Sequence, residues 1–427
     1  MRVELVTVGD ELLLGDVVNG NAAWMGRRLA DVGAELTRSV VVPDDLDAIV
    51  AALTAALGRA DVVVTTGGLG PTYDDLTRDA LAKAAGVELV RDPQIEKRLR
   101  ARGERFRPMT LRMADVPAGA TTLENSAGTA PGLRVELRGG VVFALPGVPP
   151  EMRSIMEDGV LPEIIERAGL PVAARRTLRT AGVWESVLAD RLAPVEAMPR
   201  VRLAYLPAPG EVLVRITTAG DDPGPALDAA EERVRELLGD TVYGMGDEPL
   251  VAVISGLLEE RGATIAAAES LTGGLIAAEL TGRAGSSATF AGGIVTYATE
   301  TKHRLLGVPR ELLDAHGAVH PDVAAAMATG VRDRIGSAYG VAVTGVAGPD
   351  PQDGQPVGTV FVAVAGPGDS LTVVRPPLPV TGSGPEVRAI IRRMTVVCAL
   401  DLVRRTLLGL GPGPLTGADG QDREEKG

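Results

Sequence analysis

Three short apolar runs in this chain each break into a glycine-rich segment. They are DVVVTT at 61–66 before GGLG, ATIAAA at 263–268 before ESLTGG, and GVAVT at 340–344 before GVAG. Apolar runs of five or six residues are typical of buried strands, and segments of helical periodicity follow. Strands that alternate with helices predict an α/β fold with a parallel sheet and helices on both of its faces.

The chain is too long for a single ordinary domain, because it has 427 residues. We predict two three-layer α/β domains with a small α+β domain between them. The predicted boundaries are 1–172 for the first α/β domain, 173–246 for the α+β domain and 247–410 for the second α/β domain. The remaining segment, 411–427, is rich in Pro and Gly and then charged, which predicts disorder.

The element boundaries next to the glycine-rich segments are also predicted from periodicity. The pattern predicts one helix after the first strand that continues to about residue 34. It predicts further elements as follows: helices at 74–86, 272–281, 321–335 and 385–408, and strands at 293–297 and 358–364.

Composition and charge exclude several classes of protein. The 43 basic and 56 acidic residues give a net charge of −13, which disfavours direct binding to nucleic acid. No apolar run is long enough to span a membrane, and the N-terminus lacks the features of a signal peptide. The single cysteine, Cys398, allows no intramolecular disulfide. We therefore expect a cytoplasmic protein.

The loop TTGGLGPTYDD at 65–75 is the strongest candidate site in the first α/β domain. Its glycines Gly67, Gly68 and Gly70 can present N–H groups to a phosphate. Asp74 and Asp75 follow and are candidate ligands of a divalent cation. A glycine-rich turn alone is weak evidence, since many are only turns, but the paired carboxylates that follow favour a functional site.

Two other segments are predicted to converge on that loop, because ligands sit at the carboxyl ends of parallel strands. The segment 9–21 supplies Glu11 as a third candidate metal ligand, together with Asn21. The segment 125–132 supplies Gly128 and Thr129. These loops predict a nucleotide or pterin cavity, although Asp10 and Asn21 are equally well explained as helix caps.

Ser270 lies at the predicted junction between a strand and a helix in the second α/β domain. Such a hydroxyl is exposed to substrate, and amides at the helix start can stabilise an oxyanion. No histidine is nearby, so a serine nucleophile needs another base, such as a lysine with a lowered pKa. Lys302 and Tyr297 are the candidates. The alternatives are a helix cap for Ser270 and an exposed surface charge for Lys302.

Further residues around Ser270 are predicted to bind substrate. The loop after the third run is suited to a phosphate or a ribose. The predicted substrate-binding residues are Glu269, Thr272, Gly273, Thr344, Gly345 and Gly348.

Seven motifs in this chain resemble those of the competence/damage-inducible protein (CinA) family. GDELLLGDVVNGNAAW, TTGGLGPTYDDLTRDALA, NSAGTAPG and LPGVPPEM resemble its N-terminal half. AAAESLTGGLIAAELT, GGIVTYATETKHRLLGV and VTGVAGPD resemble its C-terminal half, in the same order. The resemblance extends to about residue 408.

The resemblance implies a different role for each domain. The first domain is similar to molybdopterin-binding proteins and is associated in the family with an ADP-ribose pyrophosphatase that needs a divalent metal (Mg, Mn or Co). The middle domain resembles the family's KH-type domain. The last domain resembles amidases that convert nicotinamide mononucleotide (NMN) to nicotinate mononucleotide and ammonia without a cofactor, in pyridine-nucleotide salvage. A homodimer or a larger homo-oligomer is also implied.

The resemblance assigns roles to individual residues as well. It implies that Ser270 is the nucleophile, Lys302 its base and Tyr297 an assisting group. Thr344 would contact substrate, and either Arg388 or Arg392 would meet its phosphate or carboxylate. Asp75 occupies the position of a functional aspartate in molybdopterin-binding proteins.

Three other functions stay open. The first domain can be a pterin- or nucleotide-binding module without activity. The protein can be an accessory factor in competence or the DNA-damage response. The last domain can hydrolyse another amide.

Overall fold

The computed structural model describes residues 1–101, 107–168, 173–220, 222–378 and 384–413. These form two compact units, one made of Met1–Ala174 and Ala219–Pro223 and the other of Arg175–Thr218 with the chain from Gly224 onward. The segment predicted to be disordered is 411–427, and its residues 414–427 lie outside the described residues. No helix in the described part of the chain is long and apolar enough to cross a membrane.

The first unit contains a large sheet and a two-stranded ribbon. Its strands are β1 (Arg2–Val8), β2 (Glu35–Val42), β3 (Val62–Thr66), β4 (Leu89–Arg91), β5 (Asp115–Pro117), β6 (Thr121–Leu123), β7 (Gly132–Leu137) and β8 (Gly140–Leu145). Its helices are α1 (Asp10–Leu13), α2 (Gly20–Asp31), α3 (Leu46–Leu57), α4 (Thr77–Ala85), α5 (Pro93–Arg100), α6 (Pro149–Ile155) and α7 (Leu161–Ala168).

The large sheet of this unit is mixed, and the prediction of a parallel sheet is wrong for its far side. The strand order is β2-β1-β3-β8-β7-β6, in which β2, β1, β3 and β8 are parallel and β7 and β6 are antiparallel. Only Arg138 and Gly139 connect β7 to β8. Two residues can form a hairpin turn but cannot make the crossover that parallel strands need.

Both faces of the sheet are buried, which explains its nearly continuous apolar strands. Val62 and Val64 pack with residues of α2, α6 and α7 on one face. Val63 points to the other face and packs with α3 and α4. The alternation of side chains along a strand therefore builds two cores from one apolar run, and the predicted three-layer architecture is confirmed.

The second unit begins with a small α+β domain. Its strands are β9 (Ala173–Ala181), β10 (Val201–Ala208), β11 (Glu211–Ala219) and β12 (Val242–Met245), in the order β10-β11-β9-β12. Its helices are α8 (Glu185–Glu196) and α9 (Gly224–Leu238). The predicted small α+β domain between two α/β domains is confirmed.

The rest of this unit is the second α/β domain. Its strands are β13 (Ile265–Glu269), β14 (Phe290–Val295), β15 (Tyr339–Gly345), β16 (Val360–Ala365) and β17 (Leu371–Val374). Its helices are α10 (Leu250–Glu260), α11 (Leu275–Thr281), α12 (Thr299–Leu306), α13 (Arg310–His316), α14 (Pro321–Ile335) and α15 (Pro385–Leu407). The sheet order is β14-β13-β15-β16-β17, with β16 and β17 antiparallel to their neighbours.

This sheet also has a core on each face, so that the second domain has three layers as well. Ile265 and Ala267 pack with α10, α11 and α15. Ala266 and Ala268 pack on the opposite face with α12 and α14. The carboxyl ends of the parallel strands β13, β14 and β15 consequently lie side by side at one edge of the sheet.

Three predicted helix boundaries are wrong, and all three lie beside candidate sites. The helix predicted at 272–281 begins at Leu275, and the helix predicted from residue 74 begins at Thr77. The helix predicted after the first strand is interrupted between α1 and α2. In each case the chain first makes a turn stabilised by side chains, which a periodicity argument does not detect.

Candidate active site

Ser270 directly follows β13 and is the first residue of a tight turn. Its amide donates to the Val343 carbonyl at 3.2 Å, which ties the turn to the neighbouring strand β15. The helix-cap alternative for Ser270 is wrong, because α11 begins at Leu275 and is preceded by Gly274. The hydroxyl is therefore not used to cap the helix, and the residue lies at the edge of the sheet with only 8% of its surface exposed.

The turn after Ser270 is held in place by Glu269. The Glu269 carboxylate is buried and accepts hydrogen bonds from the amides of Gly274, Ile276 and Ala277 at 2.8–3.1 Å. These are orphan donors at the start of α11, where a negative charge is favoured. Glu269, predicted to bind substrate, has both carboxylate oxygens engaged with the backbone instead.

Two left-handed glycines allow the turn to reach α11. Gly273 has φ +62° and Gly274 has φ +100°, conformations that residues with a Cβ adopt only under strain. The turn leaves the amides of Leu271 and Thr272 without an acceptor among the residues that the structure describes. Two N–H groups next to a serine hydroxyl are the geometry of an oxyanion site.

Lys302 reaches Ser270 from α12. Its Nζ lies 3.1 Å from Ser270 Oγ, 2.8 Å from the Thr296 carbonyl and 3.4 Å from the Tyr297 carbonyl. The side chain is only 1% exposed, so the alternative of a surface charge is wrong. The strand predicted at 293–297 ends at Val295. The two carbonyls that follow are thus turned toward the lysine and not toward the sheet.

Burial lowers the pKa of Lys302 to about 8 from its ordinary 10.5, because the charged ammonium loses water. The carboxylate of Asp353 acts in the opposite direction and raises the pKa. Asp353 itself is held by the Ala318 amide, which donates to its Oδ2 at 2.7 Å. Our sequence prediction missed this residue, since PDPQDGQP is an ordinary polar turn with no spacing signal.

The structure separates the two candidate arginines of α15. Arg392 donates to the carbonyls of Leu271 and Thr272 at 2.9 and 2.8 Å, so it braces the turn after Ser270. Arg388 donates to the Gly348 carbonyl at 2.5 Å and to the Tyr297 hydroxyl at 2.7 Å. Both arginines are half-buried, but Arg388 is the one that contacts an exposed side chain, since Tyr297 is 60% exposed.

The other predicted substrate-binding residues lie around the same strand ends. The Thr344 hydroxyl donates to the Ala318 carbonyl at 2.6 Å and is buried. Gly345 ends β15 and packs against the Thr359 backbone. The Thr272 hydroxyl is buried with no partner in the described part of the chain. Thr344 and Gly345 thus contribute to the framework of the site, and their contact with substrate stays a prediction.

A cavity of about 550 Å³ lies at the carboxyl edge of the sheet in the first unit. All three predicted loops contribute to it. The loops after β1 and β3 follow parallel strands that end side by side, and 125–132 precedes β7, whose antiparallel direction places its start at the same edge. The predicted residues that line it are Glu11, Gly67, Gly68, Gly70, Asp74, Asp75 and Thr129. Gly128 and Asn21 do not line it, although Asn21 Nδ2 donates to the carbonyl of Gly147, which does.

The helix-cap alternatives for this edge are wrong for both residues. The cap of α2 is Asn19, whose side chain accepts from the Ala22 amide at 3.0 Å, and Asn21 lies one residue inside the helix. Asp10 is the first residue of α1 and not its cap, and its Oδ1 accepts from the Asp44 amide at 3.4 Å. Asp10 therefore links the ends of β1 and β2.

Glycine is needed in this loop because of a close backbone contact and a positive φ, whether or not a ligand binds. A Cβ on Gly67 would lie 2.2 Å from the Val8 carbonyl oxygen, and the residue has φ +102°. Asp75 fixes the same loop, because its carboxylate accepts from the amides of Gly70 and Thr72 at 2.7 Å each. Arg78 completes the brace by donating to the carbonyls of Leu69 and Gly70 at 2.6 Å.

The fit of a divalent cation to this cavity is limited. Asp75 is engaged with the loop, and the described residues contain no group of three His, Cys, Asp or Glu side chains placed to hold a metal ion. Glu11 and Asp74 are exposed and border the cavity, as does Asp44. Burial and the charges of Asp10, Glu11 and Asp74 raise the pKa of Asp44. Mg²⁺ is often held by one or two carboxylates together with substrate phosphates, which these residues suit.

The structure therefore defines an α/β protein with a serine–lysine pair at one strand edge and a glycine-lined cavity at another. Family models match in the same order as the domains. They are a probable molybdopterin binding domain at 4–166, a damage-inducible protein CinA KH domain at 175–244 and a CinA C-terminal domain at 247–407. The chain belongs to the CinA family, and its N-terminal domain is of the molybdopterin-binding type.

Full-length relatives carry the same family name. A CinA-like protein of Frankia casuarinae is 52% identical, with 97% of this chain and 98% of the relative covered. A putative competence-damage inducible protein of Symbiobacterium thermophilum is 43% identical over 96% of this chain and 99% of its own. A crystal structure of the protein CinA from Thermoplasma acidophilum covers 38% of this chain and 97% of its own at 39% identity, with a TM-score of 0.36.

Proposed function

We propose that the C-terminal domain is an amidohydrolase that converts NMN and water to nicotinate mononucleotide and ammonia. The observation that carries this proposal is the 3.1 Å contact between Lys302 Nζ and Ser270 Oγ. A buried lysine whose pKa lies near 8 can act as a base near neutral pH, as an exposed lysine cannot.

In the first step, neutral Lys302 accepts the proton of the Ser270 hydroxyl while Oγ attacks the carboxamide carbon. With a pKa of about 8, about one lysine in ten is neutral at pH 7. The carbonyls of Thr296 and Tyr297 accept the N–H groups of the amine. The lone pair is thereby directed at the serine.

The tetrahedral intermediate carries its negative charge on the former carboxamide oxygen. The free amides of Leu271 and Thr272 are placed to stabilise it. Protonated Lys302 returns its proton to the nitrogen, the C–N bond breaks and ammonia leaves. Water then attacks the acyl-enzyme and Lys302 accepts its proton. Lys302 passes this proton to Ser270 Oγ as the C–O bond breaks, and the released carboxylic acid ionises to the carboxylate.

The substrate phosphate is the natural partner of Arg388. A guanidinium binds a phosphate through two parallel hydrogen bonds, and half-buried Arg388 lies against the exposed side chain of Tyr297. Arg392 has its donors engaged with the turn after Ser270. We therefore assign phosphate binding to Arg388 and positioning of the nucleophile to Arg392. In this arrangement the Tyr297 hydroxyl contacts Arg388, so Tyr297 assists substrate binding.

The test is release of ammonia from NMN by the wild-type protein and by Ser270→Ala, both with EDTA. Thr301→Ala is a matched control, because its hydroxyl donates to the carbonyl of Ala298, just before α12, and does not contact the lysine. Activity that survives EDTA and Thr301→Ala but disappears in Ser270→Ala supports the proposal. No ammonia from NMN in the wild type rejects it, and turnover of a different amide by the same serine would change only the substrate.

We propose a second activity for the N-terminal domain, the hydrolysis of ADP-ribose with the help of a divalent cation at this cavity. Its support is the 550 Å³ cavity bordered by Glu11 and Asp74. These two carboxylates would hold the cation, which polarises a pyrophosphate oxygen for attack by water. Release of AMP that depends on Mg²⁺, Mn²⁺ or Co²⁺ and stops with EDTA supports this activity. Binding of a pterin or nucleotide without AMP release would make the domain a binding module.

A further inference from the structure

A second cavity in the N-terminal unit lies at the opposite edge of the same sheet. Its volume is about 520 Å³, and it is lined by the first residues of β1, β3 and β8. These are the amino ends of parallel strands, whereas the nucleotide cavity lies at their carboxyl ends. The two cavities are therefore separated by the length of the sheet, and the cavity at the amino edge is not part of the site described above.

Arginine side chains dominate this cavity. They are contributed by Arg2, Arg59, Arg138 and Arg167, and Asp61 is the acidic residue of the lining. The carboxylate of Asp61 accepts a hydrogen bond from the Arg2 backbone amide at 2.8 Å. A concentration of cations is informative in a chain whose net charge is −13, because the rest of the surface is acidic on balance.

Two of the four arginines are paired with carboxylates, and the other two are not. Arg59 forms a bidentate pair with Glu4 at 2.7 and 2.8 Å, and Arg167 pairs with Glu163 at 2.7 Å. The guanidinium groups of Arg2 and Arg138 have no hydrogen-bond or ion-pair partner among the described residues. These two groups are available to an anion that enters the cavity.

Arg138 occupies a position that does not favour arginine. It is the first residue of the two-residue turn between β7 and β8, with φ +52°, and Gly139 follows with φ +82°. Two residues with positive φ form the hairpin turn in which Asn-Gly is strongly preferred. The turn therefore places a guanidinium at the cavity at a cost in backbone energy, which Asn at this position would relieve.

We propose that the cavity at the amino edge binds a small molecule through its phosphate or pyrophosphate group. The planar guanidinium offers paired donors that match phosphate oxygens, and two free guanidiniums suit a group with more than one negative charge. Inorganic polyphosphate and a phosphorylated metabolite share this chemistry. The proposal does not depend on either enzymatic activity proposed above.

The probe is pyrophosphate, titrated into the full-length protein at low ionic strength. Isothermal titration calorimetry measures the affinity, and hydrogen exchange of the amides in 137–140 reports whether this edge is occupied. The test variant combines Arg2→Gln with Arg138→Asn. Because Asn suits the turn, the variant is expected to keep or increase its melting temperature, which separates lost binding from lost folding.

The matched control is Arg27→Gln, which removes an exposed arginine of α2 that does not line the cavity. The double variant is expected to bind pyrophosphate about tenfold to a hundredfold more weakly, since hydrogen bonds to charged groups contribute about 1.5–3 kcal/mol. The slowing of exchange in 137–140 should disappear with it. The control should bind as the wild type does.

Two results would overturn the proposal. One is a wild-type protein that shows no slowing of exchange in 137–140 at millimolar pyrophosphate. The other is a double variant that binds with unchanged affinity, which would place the measured heat at another site. If neither result is found, competition between pyrophosphate and ribose 5-phosphate distinguishes a phosphorylated metabolite from an inorganic polyphosphate. Displacement of pyrophosphate indicates a phosphorylated metabolite, and its absence indicates an inorganic polyphosphate.

Discussion

The two glycine-rich loops GGLG at 67–70 and LTGG at 271–274 look alike in sequence but lie in different chemical surroundings. Behind LTGG the charged groups are buried, and Lys302 and Glu269 are each 1% exposed. Around GGLG the carboxylates of Glu11 and Asp74 are exposed to solvent. Burial shifts the pKa of a reactive group before any ligand binds. Exposed carboxylates, in contrast, act only together with a ligand or cation that binds to them.

The largest expected effect comes from removing the buried base. Lys302→Met should lower the rate of NMN deamidation by about a thousandfold or more, since general bases contribute about 10²–10⁴. The same change should stabilise the protein by up to about 3 kcal/mol at pH 7, because the depressed pKa reflects a buried charge that is unfavourable in the folded state. Steady-state kinetics and denaturation of the same sample measure both.

The pH dependence of this stability has a definite sign. Between about pH 8 and the ordinary lysine pKa of 10.5, the unfolded state keeps a proton that folded Lys302 has lost. The free energy of unfolding of the wild type should therefore rise through this window. Lys302→Met lacks that rise, so its advantage should shrink as the pH increases. An advantage that is independent of pH would contradict the assignment.

The next effect distinguishes the two arginines within the C-terminal site. Arg388→Gln should raise KM for NMN by about tenfold to a hundredfold with little change in kcat, because it removes a contact to the substrate phosphate. Arg392→Gln should lower kcat and leave KM nearly unchanged, because it releases the turn that holds Ser270. Steady-state kinetics of both variants decide the matter, and the reverse pattern would exchange the two roles.

A smaller effect compares neighbouring aspartates in the N-terminal loop. Asp75→Asn should destabilise the loop by about 1–3 kcal/mol, because Asp75 accepts hydrogen bonds from the amides of Gly70 and Thr72. Asp74→Asn should leave stability nearly unchanged, since the residue is exposed, and should affect only cation-dependent turnover. Hydrogen exchange in 67–77 measures the difference. Equal exchange in the two variants would show that Asp75 is not the brace.

The smallest effect tests how the charge of Asp353 tunes the base. Asp353→Asn should move the alkaline rise of kcat/KM to lower pH by less than about one unit, because the carboxylate raises the pKa of Lys302. The amide of Asn keeps an acceptor for the Ala318 N–H and tolerates φ +52°. Asp350→Asn, on the same loop, is the control. A profile that does not move would remove Asp353 from the site.

The sequence predicted the strands well because strands that are buried on both faces have a distinctive, apolar local composition. The strands within DVVVTT and ATIAAA are buried on both faces, and a run of apolar residues is the direct signature of that environment. The helices 321–335 and 385–407 were also predicted closely from periodicity. Ser270 and Lys302 were paired from the chemistry that a serine needs in the absence of histidine.

The errors lie where a side chain accepts hydrogen bonds from backbone a few residues away and so interrupts the helical period. Asp75 delays α4 by bonding to the loop before it, and Glu269 caps α11 from the preceding strand. Both residues were assigned to ligands from sequence, since a carboxylate beside glycines looks the same in either role. The antiparallel strands were missed because pairing direction depends on connection length more than on apolar pattern.

The sequence by itself determined the three-domain order, the three-layer α/β architecture and a short set of candidate functional residues. Only the tertiary structure decided which of these are available for chemistry. It buried Lys302 against Ser270 and engaged Arg392 and Glu269 with backbone. It left Asp74 exposed and placed half-buried Arg388 against the exposed Tyr297. The reason is physical: composition sets which groups are ionisable, but burial and hydrogen-bond partners, which come from distant segments, set their charge and reach.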